Sequence, residues 1–300
     1  MRTIAIINLK GGVGKTTTAI NMAAVLASGT YLPSPFGGGA KNTAGAGRGK
    51  EVLVIDADPQ ANATQFFGLD GDECNTLAGL LGGYSNDPYD FLYKTGLEQI
   101  AILPSGIDLI EADIASIRAG SNVKCIAGLL ETLDEDTKYC DPSPEGEEIT
   151  GKFDYVLIDC PPSFTAASVA AIYAADEVII PVEVDAFSVH GMVQVMKQIE
   201  SVRKIQPRVR VAGVLITKWH NAPAVVQGEA ALRDSAVPVF KTHIRRSDKV
   251  AESLFKAQTL EEYSRRSAAA RDYRRFVAEY LNLVPTPMEL ERMTKCGEVQ

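Results

Sequence analysis

The sequence predicts an α/β fold: a doubly wound, mostly parallel sheet with helices on both faces. Three observations predict it. An apolar run from Thr3 to Asn8 leads into a glycine-rich turn and then a helix-forming stretch, Thr18 to Leu26. Further on, apolar runs alternate with helical stretches, the order that builds a parallel sheet. Two runs, ending at Asp56 and Asp159, are four apolar residues long without alternation, as strands buried on both faces require.

In chain order, strands are expected at 2–8, 51–56, 99–103, 153–159, 177–182, 210–216 and 237–240. Helices are expected at 16–28, 76–82, 111–133, 165–174, 188–205, 223–234 and 260–282. The last carries Tyr273, Phe276, Val277, Tyr280 and Leu281 at i, i+3, i+4, i+7 and i+8, a stripe for the core. Residues 1–284 read as one domain with a flexible glycine-rich insertion at 29–49. Pro285 and Pro287 close the last helix and open a short tail, 285–300. The five cysteines form no C-x-x-C pair, and the three histidines have no i,i+4 partner, so neither zinc nor a disulfide framework is indicated. Trp219 reads as ordinary packing. No stretch approaches the roughly 18 consecutive apolar residues of a membrane span.

The turn after the first strand is Lys10-Gly11-Gly12-Val13-Gly14-Lys15-Thr16-Thr17. Strand, glycine turn and helix together make a phosphate cradle, because glycines let successive N–H groups converge and the helix N-terminus adds its positive end. Lys15 supplies charge for β and γ phosphates, and Thr16 a hydroxyl for Mg²⁺. The usual pattern wants glycine where Leu9 stands; here the additional glycines are Gly11 and Gly12, and a second lysine, Lys10, precedes them. Asp56 and Asp159 fall at the carboxyl edge of the sheet, where ligands of such folds bind. Carboxylates beside a triphosphate require a cation between them, so Mg²⁺ is implied, with Thr16, Asp56 and Asp159 as its candidate holders.

The segment Lys10 to Thr17 resembles the deviant Walker A motif of the ParA/MinD class of P-loop ATPases. Val52 to Thr64 looks like the switch I segment of ParA-type partition ATPases, and Phe153 to Ser163 like their Walker B strand and switch II. The resemblance spans roughly residues 1–283. It implies that Lys10 reaches across an ATP-sandwiched homodimer to the partner's phosphates. It also implies that Asp159 acts on Mg²⁺ through water, and that Asp58 orients or activates the attacking water.

The insertion departs from that family, which has a short turn there. Seven glycines among its 21 residues leave little surface to bury against the ordering entropy, so a dispensable excursion at the edge away from the cradle is expected. Charge is also uneven. The net of −8 argues against nucleic acid, yet residues 203–275 hold 16 Lys and Arg against 7 Asp and Glu, and residues 70–150 hold 4 against 17. Ile244 to Glu252 is similar to a carboxy-terminal stretch through which ParA-type ATPases contact nonspecific DNA. Arg246 matches its first arginine, Lys249 stands where a second is expected, and Arg245 replaces a proline. With Arg271, Arg274 and Arg275, expected on the outer side of the last helix, these are the candidate DNA contacts.

The resemblance therefore implies an ATP-dependent DNA-partitioning switch whose hydrolysis a ParB-like centromere-binding protein stimulates, in the cytoplasm and nucleoid-associated. The first strand begins almost at once, so the amino-terminal helix-turn-helix domain of larger partition ATPases is not expected. A MinD-like membrane cycle would need a basic amphipathic carboxy-terminal helix; the tail has two prolines, three glutamates and only Arg292 and Lys295, so no stable membrane association is expected. An iron–sulfur relative would have to use Cys125 and Cys160, which do not match that family's local motifs.

Overall fold

The computed structural model describes residues 1–30, 49–83, 87–119, 123–135, 138–140, 148–150 and 152–283. The bulk of the glycine-rich insertion and the tail after 284 lie outside the described residues. At the centre is a seven-stranded sheet of β1 (Arg2–Ile6), β2 (Val52–Asp56), β3 (Tyr93–Lys94), β4 (Ile100–Leu103), β7 (Tyr155–Asp159), β8 (Glu177–Glu183) and β9 (Arg210–Thr217). Its order is β3-β4-β2-β7-β1-β8-β9, parallel throughout except that β3 runs antiparallel to β4. In a separate two-stranded sheet, β5 (Lys138–Cys140) pairs antiparallel with β6 (Glu148–Thr150).

Alternation within each strand feeds two cores. Ile4, Ile6, Val54 and Leu157 point to one face, which is covered by α1 (Lys15–Ser28), α10 (Leu260–Tyr263) and α11 (Ala268–Leu283). Ala5, Leu53, Ile55 and Ile158 point to the other. That face packs α3 (Leu77–Gly82), α4 (Leu109–Ala119), α5 (Cys125–Glu135), α6 (Ala166–Ala174), α7 (Ser188–Arg203) and α8 (Pro223–Arg233). Both faces are thus buried, which is why the strands are apolar without a polar side. The expected stripe on α11 is buried at Tyr273, Phe276, Val277 and Tyr280, with Phe276 edge-on to Phe240 at 5.0 Å.

Four expectations are corrected. The helix expected at 111–133 is two helices, α4 and α5, separated where Gly120, Ser121 and Asn122 punctuate the sequence. The one expected at 260–282 is α10 and α11, because Thr259 and Glu262 close a capping box on a short first helix and the Ser267 hydroxyl accepts from the Ala270 N–H at the start of the second. Residues 237–240 form one isolated bridge, Val214 to Val239, where Pro238 has a carbonyl to offer and no N–H. Two short helices beside the glycine loop, α2 (Asn62–Phe66) and α9 (Asp248–Phe255), were not expected.

The register sets the site. Asp56 pairs with Asp159 across β2 and β7, and Ile6 with Asp159 across β1 and β7, so the glycine loop and both carboxylates share one edge. α1 leads away from it. At its far end the N–H groups of Gly29 and Lys50 both reach the Leu26 carbonyl, at 3.3 and 3.1 Å. A side chain on Gly49 would sit 1.8 Å from the Ala27 carbonyl oxygen, so only glycine lets the chain return there.

Candidate functional site

The loop from Lys10 to Gly14 takes its shape from two left-handed residues, Gly12 (φ 74°) and Gly14 (φ 87°). Gly14 caps α1 without a side-chain acceptor, leaving the helix N-terminus open to an anion. The Thr217 hydroxyl donates to the Val13 carbonyl at 2.8 Å, tying the loop to the end of β9. Asn8 braces the other side, donating to Pro181 O and accepting from the Lys10 N–H. Lys15 is buried and its ammonium curls back to the Lys10 carbonyl at 3.2 Å. Burial lowers its pKa, and Asp159 and Asp58 oppose that shift.

The three aspartates differ sharply in what holds them. Asp56 is fully buried with both oxygens engaged: Oδ1 accepts from the Asp58 N–H, and Oδ2 from the N–H and hydroxyl of Thr64. Burial raises its pKa to about 6 in spite of those bonds. Asp56 thereby shapes residues 57–64, with both oxygens engaged by the chain itself. Asp159 is equally buried, yet neither of its oxygens has a hydrogen-bond partner in bonding geometry among the described residues. Burial, and next the charge of Asp56, push its pKa well above the usual carboxylate range; the Thr16 hydroxyl and Lys15 act in the other direction. A buried carboxylate with both oxygens unsatisfied beside a lysine and a threonine hydroxyl fits a divalent cation. Asp58 is nearly buried, lines the cleft, and accepts the Gln60 N–H at 3.0 Å.

Lys15 and Asp58 line a cleft of about 940 Å³, which buried Asp56 and Asp159 do not line. Gly11, Gly14, Lys15, Thr16 and Asp58 line one wall, and Ile244 to Asp248 with α9 line the other. Lys10 does not line it. Its ammonium pairs instead with Asp185, and this pairing is the main reason the Asp185 carboxyl lies below its ordinary pKa. Asn8, Thr217 and Asp185 were not singled out in the sequence; the polar residues closing the strands at Asn8 and Thr217 were the available signal.

The candidate basic surface divides in two. Arg246, Arg271 and Arg275 are exposed and form no ion pair among the described residues. Lys249 is exposed but paired with Glu252, at 2.5 Å, and Glu252 also accepts the Tyr263 hydroxyl. Arg245 is clasped by buried Asp272, with Nε to Oδ2 at 2.8 Å and Nη2 to Oδ1 at 2.7 Å. Arg274 contradicts its expected outward position. It is buried, bonds both oxygens of Glu261 and donates to the Arg265 carbonyl, because the turn between α10 and α11 folds over it. Elsewhere, Cys125 and Cys160 are buried thiols whose pKa values burial raises, that of Cys125 to about 12. No described helix is long and apolar enough to cross a membrane.

Comparison with known proteins agrees with this architecture. A family model described as an AAA domain matches residues 1–31 and 41–211. The chromosome partitioning protein ParA of Caulobacter vibrioides is 34% identical over 221 residues, covering 73% of this chain and 70% of that protein. The chromosome-partitioning ATPase Soj of Thermus thermophilus is 31% identical over 284 residues, 94% of this chain and 96% of that one. Among solved structures, cobyrinic acid a,c-diamide synthase from Mycobacterium smegmatis with bound ATP analog and magnesium superposes with a TM-score of 0.70. It is 26% identical, over 99% of this chain and 97% of that one. A glycine loop with two lysines, facing a bare buried aspartate at the carboxyl edge of a parallel sheet, is thus joined to near full-length similarity: the chain belongs to the ParA/Soj family of chromosome-partitioning ATPases.

Proposed function

We propose that this protein is an ATP-driven switch that partitions DNA. In this reading residues 1–284 act as one ATPase unit, and two copies close face to face over two ATP molecules. The observation that carries it is the division between the two lysines. Lys15 is buried in the cleft, whereas Lys10 lies outside it with its ammonium on the rim, free to exchange Asp185 for a partner's phosphate.

The glycine loop and Lys15 hold the β and γ phosphates. Thr16 and Asp159 hold Mg²⁺, which when bound with ATP neutralises charge developing on the transferred phosphate. Asp56 fixes the 57–64 segment so that Asp58 faces the cleft, where it orients the attacking water. Closure brings two basic surfaces together for nonspecific DNA, with Arg246, Lys249, Arg271 and Arg275 as contacts; hydrolysis, stimulated by a ParB-like partner, opens the dimer and releases it. The relatives named for chromosome partitioning and the magnesium–ATP-analog complex of a structural neighbour support this reading.

DNA binding compared in ATP and ADP tests it. A random-sequence duplex should be retained with ATP and released with ADP. Equal binding in both, or none in either, sinks the proposal. Retention on anionic vesicles in place of DNA would put a membrane cycle in its stead.

A further inference from the structure

The segment from Phe240 to Arg246 connects two regions that the proposed cycle has to link. Ile244, Arg245 and Arg246 line the cleft beside the glycine loop, and Arg246 is also exposed at the basic surface. The strap is neither helix nor strand, yet it is tied at almost every step. Arg233 of α8 donates to the carbonyls of Phe240 (3.0 Å) and Lys241 (3.2 Å). Glu279 of α11 accepts the N–H groups of Lys241 and Thr242. Trp219, just past β9, donates its N–H to Ile244 O and accepts that of Arg246. The Trp219 ring lies flat on His243, with centroids 4.0 Å apart and planes at 12°.

One carboxylate gathers the outer ties. Glu229 of α8 accepts from Trp219 Nε1 at 2.7 Å and from Arg233 Nε and Nη2 at 2.9 and 2.7 Å, and lies 3.7 Å from His243 Nδ1. Burial alone would raise its pKa, but Arg233 and Trp219 hold it below the ordinary value. Glu229 itself does not line the cleft. Charge-assisted bonds to two side chains that each grip the strap make it the pivot of the outer side, while Asp272 and Glu279 secure the inner side on α11.

We propose that Glu229 is a positioning residue: through Trp219, His243 and Arg233 it makes the 240–246 strap one stiff piece, so that filling the nucleotide cleft resets Arg246 on the DNA-facing surface. The inference rests on the ATP and DNA reading above. Coupling of this kind needs a connected element that both sites bias, and the strap touches both.

The chain has a single tryptophan, so the emission of Trp219 reports on the strap directly. The test compares the full-length protein with Glu229→Gln and Trp219→Phe. Glu229→Gln keeps an acceptor for Trp219 but removes the charge that holds Arg233. In the wild type, Mg-ATP should change Trp219 emission and tighten binding of a random-sequence duplex. In Glu229→Gln, equilibrium dialysis should still show a saturable nucleotide site. The emission change should shrink, and the ATP-dependent gain in DNA affinity should drop by about fivefold or more. Linkage requires DNA to tighten ATP by the same reduced factor. Trp219→Phe keeps the stacked ring, loses one bond to Glu229, and should lose part of the gain; it carries the test if Glu229→Gln fails to fold. Full emission change and full gain in Glu229→Gln, or in Trp219→Phe an undiminished gain, overturn the inference alone. A wild type that binds ATP but gains no DNA affinity overturns the earlier reading and this one with it.

Discussion

At the scale of residues, neighbouring charged groups are sorted by what surrounds them. Lys15→Ala removes a buried charge from the phosphate cradle and should weaken ATP binding by about a hundredfold or more, measured by dialysis or calorimetry. Lys10→Ala should leave monomer binding near wild type and impair dimerisation or turnover. Equal loss of nucleotide in both variants would end the division of labour. Asp58→Ala should bind ATP and dimerise yet turn over about a hundredfold more slowly, staying on DNA; normal steady-state turnover would remove Asp58 from the mechanism. The buried pair Asp56 and Asp159 gives a pH dependence. Burial raises Asp56 to about 6 and pushes Asp159 upward as well, so the folded pair retains a proton where free carboxyls have lost theirs. That proton's contribution to stability is full below the ordinary carboxylate range and is lost as pH rises through about 6. A divalent cation at Asp159 competes with the proton that burial favours there, so Mg²⁺-nucleotide affinity should rise with pH, with protons released on binding. Calorimetry at pH 6 in buffers of different ionisation enthalpy should show it, and buffer-independent heats would contradict it. Lys15, Thr16 and Asp159 were legible because motif and strand end coincide. The capture of Asp56 by Thr64 was not, since it depends on how residues 57–64 fold back.

At the scale of elements, the parallel strands of the central sheet were the most legible part, because burial on both faces leaves no polar interruption, whereas the short β3, β5 and β6 were not expected. The short helices α2 and α9 were hidden. Five or eight residues hold too few turns to show a period, and tertiary contacts rather than propensity support them. Arg274 shows a further limit. Its position on α11 suggested solvent, but the turn after α10 brings Glu261 over it, and a helical wheel cannot register a neighbouring element. The insertion yields an element-scale prediction. Gly29 and Lys50 bond the same carbonyl, so the two ends already meet at Leu26 whatever lies between them. Replacing residues 30–48 with a short glycine–serine turn should leave ATPase activity and DNA binding within about twofold of wild type, because each doubling of loop length alters closure entropy by only about 0.6 kcal/mol. A large loss of either activity would mark the insertion as a working part.

At the scale of the whole molecule, the net charge of −8 conceals a basic carboxy-terminal region. DNA affinity should fall steeply with salt, since binding phosphates releases condensed counterions. Arg246→Glu or Lys249→Glu should weaken binding to every sequence alike and flatten that salt slope, with ATP binding retained. Arg274→Glu should behave differently. It leaves Glu261 facing a like charge in a buried place and should destabilise the fold by about 3 kcal/mol or more in urea titration. Unchanged salt slopes in both exposed variants would place the DNA contact elsewhere. The sheet's two borders carry one more consequence. On one side β3 is only two residues long; on the other, Val214 of β9 bridges to Val239, and Trp219, just past it, to Arg245. Among the described residues, neither border offers the row of vacant amides that lets strands of separate molecules zip into fibres. If copies gather on DNA as proposed, this sheet gives them no aggregation template, and they can crowd together and separate again without their strands locking.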